Sequence, residues 1–111
     1  MEGIRNSVQV SKNLNIFIPE DYSERRKAEE YIKLARKEEQ QNEHQNALFL
    51  YEKSIGHFLL AIREERTASV QDELRKLAST YLAHAENLKR KIKKMDNPGN
   101  FFFFFFFGDR L

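Results

Sequence analysis

The sequence contains no cysteine and no tryptophan, and only two prolines and four glycines among 111 residues. Without cysteine there is no disulfide framework and no thiolate-bound zinc, and the same lack agrees with the cytoplasmic location we expect. No apolar stretch reaches the roughly 18–20 residues that a membrane-spanning helix takes. The first residues also lack the continuous apolar run of a signal peptide. An excess of one charge is missing too. The 19 Lys and Arg stand against 17 Asp and Glu, a formal net charge of +2, so no nucleic-acid partner is expected. The length allows one domain.

What is present falls into three parts. In residues 1–20, Val8, Val10, Ile16 and Ile18 recur at even spacing before Pro19. That is a weak strand pattern with no second strand to pair it, so an extended or disordered arm is expected. Residues 21–96 are rich in Ala, Leu, Glu, Lys and Arg and nearly free of Gly and Pro, a helix-forming composition. Asn97-Pro98-Gly99-Asn100 then stops the helical pattern. Phe101 to Phe107 follow, then Gly108-Asp109-Arg110-Leu111, so residues 97–111 read as an irregular tail, expected to be disordered.

The periodicity of the middle part predicts three helices. The first starts near Asp21, with Glu24 as its capping-box partner. It carries Ala28, Tyr31, Ile32 and Ala35 at helical spacing. Glu38 to Glu43 is wholly polar, so the chain is expected to leave the core there, with Asn42 left-handed at the helix end. The second runs from about Asn46 to Arg66 with Leu48, Tyr51, Ile55, Phe58, Leu59 and Ile62 as its core stripe, widened by Phe49, Leu50 and Leu60. Gly56 inside it implies close approach of a neighbouring helix. The third starts at Ser69 as cap, and its stripe is Leu74, Leu77, Ala78, Tyr81, Ala85, Leu88 and Ile92. Asp72–Lys76 and Glu86–Arg90 are spaced to pair across its exposed face. Short connections make neighbouring helices antiparallel. The expected fold is therefore all-α, a three-helix antiparallel bundle.

Little here suits catalysis. No nucleophile, base and orienting group come together in the pattern. There is no Gly-rich phosphate loop, and Glu29-Glu30 and Glu38-Glu39 read as solvated faces. No enzyme activity and no cofactor are expected. His44, His57 and His84 lack the i, i+4 spacing of a helical metal pair, so no metal is expected; His57 reads as a helix-surface or boundary residue. Lys89, Arg90, Lys91, Lys93 and Lys94 end the third helix. They complement its dipole, and they also suit an anionic lipid surface or an acidic peptide. Leu82 lies beside the core stripe with Glu86 one turn on. Periodicity leaves two readings open for it, ordinary core or the edge of a groove that takes an amphipathic peptide.

Two segments resemble a known family. Ala47-Leu48-Phe49-Leu50-Tyr51, followed by the aromatic-aliphatic run to Ile62, resembles the second helix of MIT domains (microtubule interacting and trafficking). Tyr81-Leu82-Ala83-His84-Ala85-Glu86-Asn87-Leu88-Lys89 resembles their third-helix signature, Tyr-Leu-x-x-Ala-Glu-x-Leu-Lys. Ala28 to Ala35 fits the first helix, and the resemblance covers about residues 22–94. It implies a non-catalytic adaptor that binds C-terminal tail motifs of ESCRT-III subunits in endosomal sorting, membrane remodelling or cytokinesis, recruited to endosomes or the midbody. Helical motifs would lie between helices two and three, at Leu82, Glu86, Ala78 and Ala85. Extended, Pro-containing motifs would lie between helices one and three, at Ile32 and Ala28. This chain departs from the family where Ala83 and His84 replace a frequent Asp-Arg, and where Asn42 stands for a usual Gly.

Two rival functions remain at this level. One is a generic tetratricopeptide-like helical interaction module, since Ala-Leu-x-x-Tyr also occurs there. The other is a membrane-surface module that uses Lys89, Arg90, Lys93 and Lys94 with the Phe run, giving peripheral membrane contact. The Phe run is too short to span a bilayer and also reads as the end of a truncated isoform or gene model. The arm, with Leu14, Ile16, Ile18 and Pro19, either folds back near Ile32 or packs loosely. The expected state is a monomer.

Overall fold

The computed structural model describes Leu14 and residues 16–96, of which Met95 and Asp96 by backbone only. The Val8–Val10 alternation, the tail expected to be disordered and its Phe run lie outside the described residues. Among those residues there are three helices, α1 (Glu24–Gln40), α2 (His44–Glu64) and α3 (Ala68–Asp96), and no strand. Connections of three residues, 41–43 and 65–67, reverse the chain twice, so α2 runs antiparallel to both neighbours.

Each boundary has a local cause. Ser23, not Asp21, caps α1: its hydroxyl accepts from the Arg26 amide at 3.1 Å, the usual capping geometry. At the other end Asn42 has φ 62°. The Glu43 amide reaches the Glu38 carbonyl at 2.9 Å and the Asn42 amide reaches that of Glu39 at 3.0 Å. This pair of bonds closes a helix through a left-handed residue, so Asn42 behaves as expected. The α2 C-terminus is closed from outside, because the Gln71 side-chain amide donates to the carbonyls of both Ile62 and Glu65 at 2.9 Å. Ser69 is no cap. The helix already runs at Ala68, and the Gln71 amide bonds the Thr67 carbonyl at 2.9 Å.

The core explains why α2 is central. Its buried residues include Ala47, Ser54 and Ala61, seven apart, and α1 buries Ala28 and Ala35, also seven apart. Small side chains at that interval let two helix backbones approach closely along a shared seam. The Ser54 hydroxyl, wholly buried, donates to the Ala28 carbonyl at 2.8 Å, which satisfies a polar group that would otherwise destabilise the seam. Leu50, Tyr51 and Phe58 supply the bulk of α2. The stripe of α3 is as read, with Leu74, Ala78, Ala85, Leu88 and Ile92 buried and Leu77 and Tyr81 half-buried.

The α2 stripe needs correction. Leu59 is exposed and Leu48, Ile55 and Ile62 are only half-buried, because the helix turns its small residues, not this aliphatic row, toward α1. Asp72 pairs with Arg75 and Arg90 with Asn87, each three residues apart rather than four. Gly56 is exposed, and among the described residues nothing lies within 4 Å of where a Cβ would stand. No neighbour requires a glycine there. Gly56→Ala is therefore expected to raise stability by about 1 kcal/mol, seen as a higher melting temperature by circular dichroism. An unchanged or lower value would mean that α2 is not a regular helix at this point.

Candidate functional site

Polar side chains decide how the two outer helices face each other. No Cα of α1 comes within 8 Å of a Cα of α3, whereas α2 approaches both inside that distance. Long side chains bridge the gap. Arg25 meets Glu73 at 3.5 Å, Arg36 donates to the Tyr81 hydroxyl at 3.2 Å, and His84 Nε2 lies 2.9 Å from Glu39 Oε1. Glu39 also accepts from the Tyr51 hydroxyl at 2.8 Å, so its carboxylate joins all three helices. Glu38 accepts from the Asn46 amide at 3.0 Å. The Glu38-Glu39 pair is therefore half-buried structure, not a solvated face. An aromatic cluster sits beside it. Tyr81 stacks on Phe58 and Tyr51 with centroids 6.1 and 6.2 Å away, and His84 meets the Tyr51 ring edge-on at 4.9 Å.

The flanks of α2 and α3 follow from 100° per residue. On α3, Glu73, Tyr81 and His84 mark the side toward α1, and Leu82 with Glu86 lies on the opposite flank. On α2, Asn46, Ser54 and His57 meet α1, and Tyr51 and Phe58 meet Tyr81. Ile55 and Leu59 come next in the same rotational sense. Leu59 and Leu82 thus border one seam, between α2 and α3 on the side away from α1, and are 56% and 49% exposed. Ala78 and Ala85 are buried on the same side of α3, and Glu86 is exposed one turn beyond Leu82. Leu82 is not ordinary core. Leu59 escaped the sequence reading because it shares a helical row with Ile55 and Ile62, which periodicity alone assigns to the core. The apolar arc of α2, wider than two neighbours require, was the available signal.

The other candidates are placed as follows. Ile32 is 5% exposed and Ala28 fully buried, with the Ala28 carbonyl held by Ser54, so Ala28 belongs to the α1–α2 seam and offers a peptide no surface. Lys89, Arg90, Lys91, Lys93 and Lys94 are exposed on the last turns of α3. His57 is the expected boundary residue: Nδ1 lies 2.6 Å from Glu24 and the ring stacks on Tyr31 at 5.4 Å. Among the described residues no group of three His, Cys, Asp or Glu is arranged to hold a metal ion, and no helix is long and apolar enough to cross a membrane.

This fold coincides with a family match. The model of the MIT (microtubule interacting and transport) domain matches residues 26–90, more than half of the chain, and the chain belongs to that family. MIT domains are non-catalytic interaction domains that bind peptide partners, and this chain is a protein-interaction adaptor domain of that kind. No curated protein and no solved structure matches it.

Two carboxylates make the bundle sensitive to acid. The hydrogen bond from His57 is the main cause that holds Glu24 below its ordinary 4.5. Burial pushes Glu39 up, but hydrogen bonds from His84 and Tyr51 outweigh it and leave Glu39 below 4.5 as well. Burial, then Glu39, pushes the Tyr51 hydroxyl upward, so it remains a donor. A carboxyl depressed in the folded state stabilises above its unfolded value, and that stability is lost as pH falls through the folded one. The melting temperature is expected to fall as pH drops from about 5 to about 3. Glu39→Gln should melt lower at neutral pH and show a shallower acid limb. An acid limb as steep as the unaltered chain's would remove Glu39 from the account.

Proposed function

We propose that this domain recognises C-terminal tail segments of ESCRT-III subunits, bound as a short amphipathic helix in the groove between α2 and α3. The observation that carries this reading is the exposure of Leu59 and Leu82, two large apolar side chains held half in water on neighbouring helices. Leucines of the incoming helix pack between them over Ala78 and Ala85, and Glu86 pairs with a basic side chain of the peptide. An apolar stripe flanked by charge is the pattern such a groove reads. The buried area is small, so the affinity is modest, roughly micromolar. Residues 21–96 form the binding unit. Its task is to bring a partner to cytoplasmic sites of ESCRT-III assembly at endosomes or the midbody. The cleft between α1 and α3, floored by Ile32, is a second groove that suits an extended motif.

Titration of the isotope-labelled chain with helical tail peptides should shift amides around Leu59, Leu82 and Glu86. Leu82→Asp and Leu59→Asp are each expected to weaken binding by about 30-fold or more, the effect of losing a central apolar anchor. Their circular dichroism should stay unchanged, since both side chains already face water. Normal binding by both variants would exclude the groove.

A further inference from the structure

Among the described residues, the segment before α1 is an apolar element that the groove reading leaves unused. Leu14 and Ile16 are half-buried and pack against the core cluster, Ile18 and Pro19 are half-buried too, and Phe17 between them is 84% exposed. Residues 16–18 alternate in and out as an extended chain does, while the Ile16 amide donates to the Leu14 carbonyl at 3.1 Å, a tight γ-turn just before them. The Tyr22 amide donates to the Pro19 carbonyl at 3.2 Å, a reverse turn just ahead of the Ser23 cap. A reversal at this point lets residues 16–18 run back along α1.

The sides of α1 differ in what they leave open. One is sealed by the close small-residue seam with α2. On the other, the α3 backbone stays more than 8 Å off, and Arg25, Arg36 and Glu39 make polar ties across. Yet Ile32 is 5% exposed on α1, and Val70 and Leu77 are half-buried on the α3 flank that also carries Glu73 and His84. Ile32 belongs to the core cluster, and Val70 and Leu77 pack against that cluster as Leu14 and Ile16 do. The Arg25–Glu73 pair shows that α1 and α3 start at the same end of the bundle, where Leu14 and residues 16–19 enter.

We infer that Leu14 and residues 16–19 lie in the cleft between α1 and α3 as a built-in strap. An extended aliphatic peptide with a proline, the chemistry of the strap itself, must displace it to bind there. The placement stands on the contacts above; only the competition with an incoming peptide rests on reading this cleft as a second groove. A tethered segment acts at an effective concentration on the order of millimolar, so a strap of about 0.1 mM intrinsic affinity weakens a competitor about tenfold.

The test uses the intact chain and, as probe, a synthetic peptide of its own residues 14–20, Leu-Asn-Ile-Phe-Ile-Pro-Glu, so it is independent of any ESCRT-III tail. In Leu14→Asp/Ile16→Asp the strap is released, and the peptide should bind about tenfold more tightly than to the unaltered chain. Amide shifts should run along Ile32, Arg36, Val70 and Leu77. Phe17→Asp, whose side chain already faces water, should behave as the unaltered chain. Equal affinity for the released and unaltered chains, or shifts confined to the Leu59–Leu82 flank, overturns the proposal. A nitroxide on Phe17→Cys, in a chain with no other cysteine, reads the placement with the strap in position. Amides of Glu29 and Glu73 should broaden and those of Glu52 and Gly56 should not; the reverse pattern also overturns it. Failure of ESCRT-III tails to bind would leave both readouts unaffected.

Discussion

The Glu39 carboxylate is where the three helices are locked in register. It stands in the last turn of α1, where the helix dipole disfavours negative charge, and burial disfavours it further. The Tyr51 hydroxyl from α2 and the His84 ring from α3 offset both penalties by donating to it. Their rings also contact each other, so the node has an apolar side and a charged side. Sliding α2 or α3 by a turn would take away one of the two donors, and sliding α1 would take away both, leaving a half-buried carboxylate unpaired, which costs more than the bonds themselves contribute. The lock sets where α3 lies along α1, and with it the height at which Leu82 meets the edge of α2.

The seams are built on a different rule from the lock. Ala28 and Ala35, Ala47, Ser54 and Ala61, and Ala78 and Ala85 all repeat at seven. This interval keeps small side chains on one line along nearly parallel helices. Where two such lines meet, between α1 and α2, the backbones close up. Where none is available, between α1 and α3, the backbones stay apart and polar side chains span the distance.

The bundle was legible because core positions repeat locally. The spacing of Leu74 to Ile92 places α3's buried face with no knowledge of its neighbours, and Asn42 announces the turn before α2. The family signature was legible for a related reason. Its Ala47, Tyr51 and Tyr81 are scaffold residues, and scaffolds tolerate little change in volume. The groove was only half legible. Leu82 stood out as one apolar residue too many on α3, but Leu59 looked like core until the orientation of α2 was known. The Glu38-Glu39 pair was misread because the partners that bury it, Asn46, Tyr51 and His84, lie on other helices at separations no periodicity encodes. Gly56 has no structural reason for its presence that its sequence position could reveal.

The separation of α1 from α3 also has a kinetic side. With both outer helices docked on α2 through connections of three residues, nearly all apolar contacts form between segments adjacent in the chain. A native state made of such contacts needs little loop closure before it gains energy, and chains of this kind fold rapidly. Either hairpin, α1 with α2 or α2 with α3, can form first on the same central helix. The Arg25, Arg36 and Glu39 bridges join the first helix to the last, so they close only when both hairpins exist. In this bundle the polar ties between the ends of the chain complete folding and do not start it.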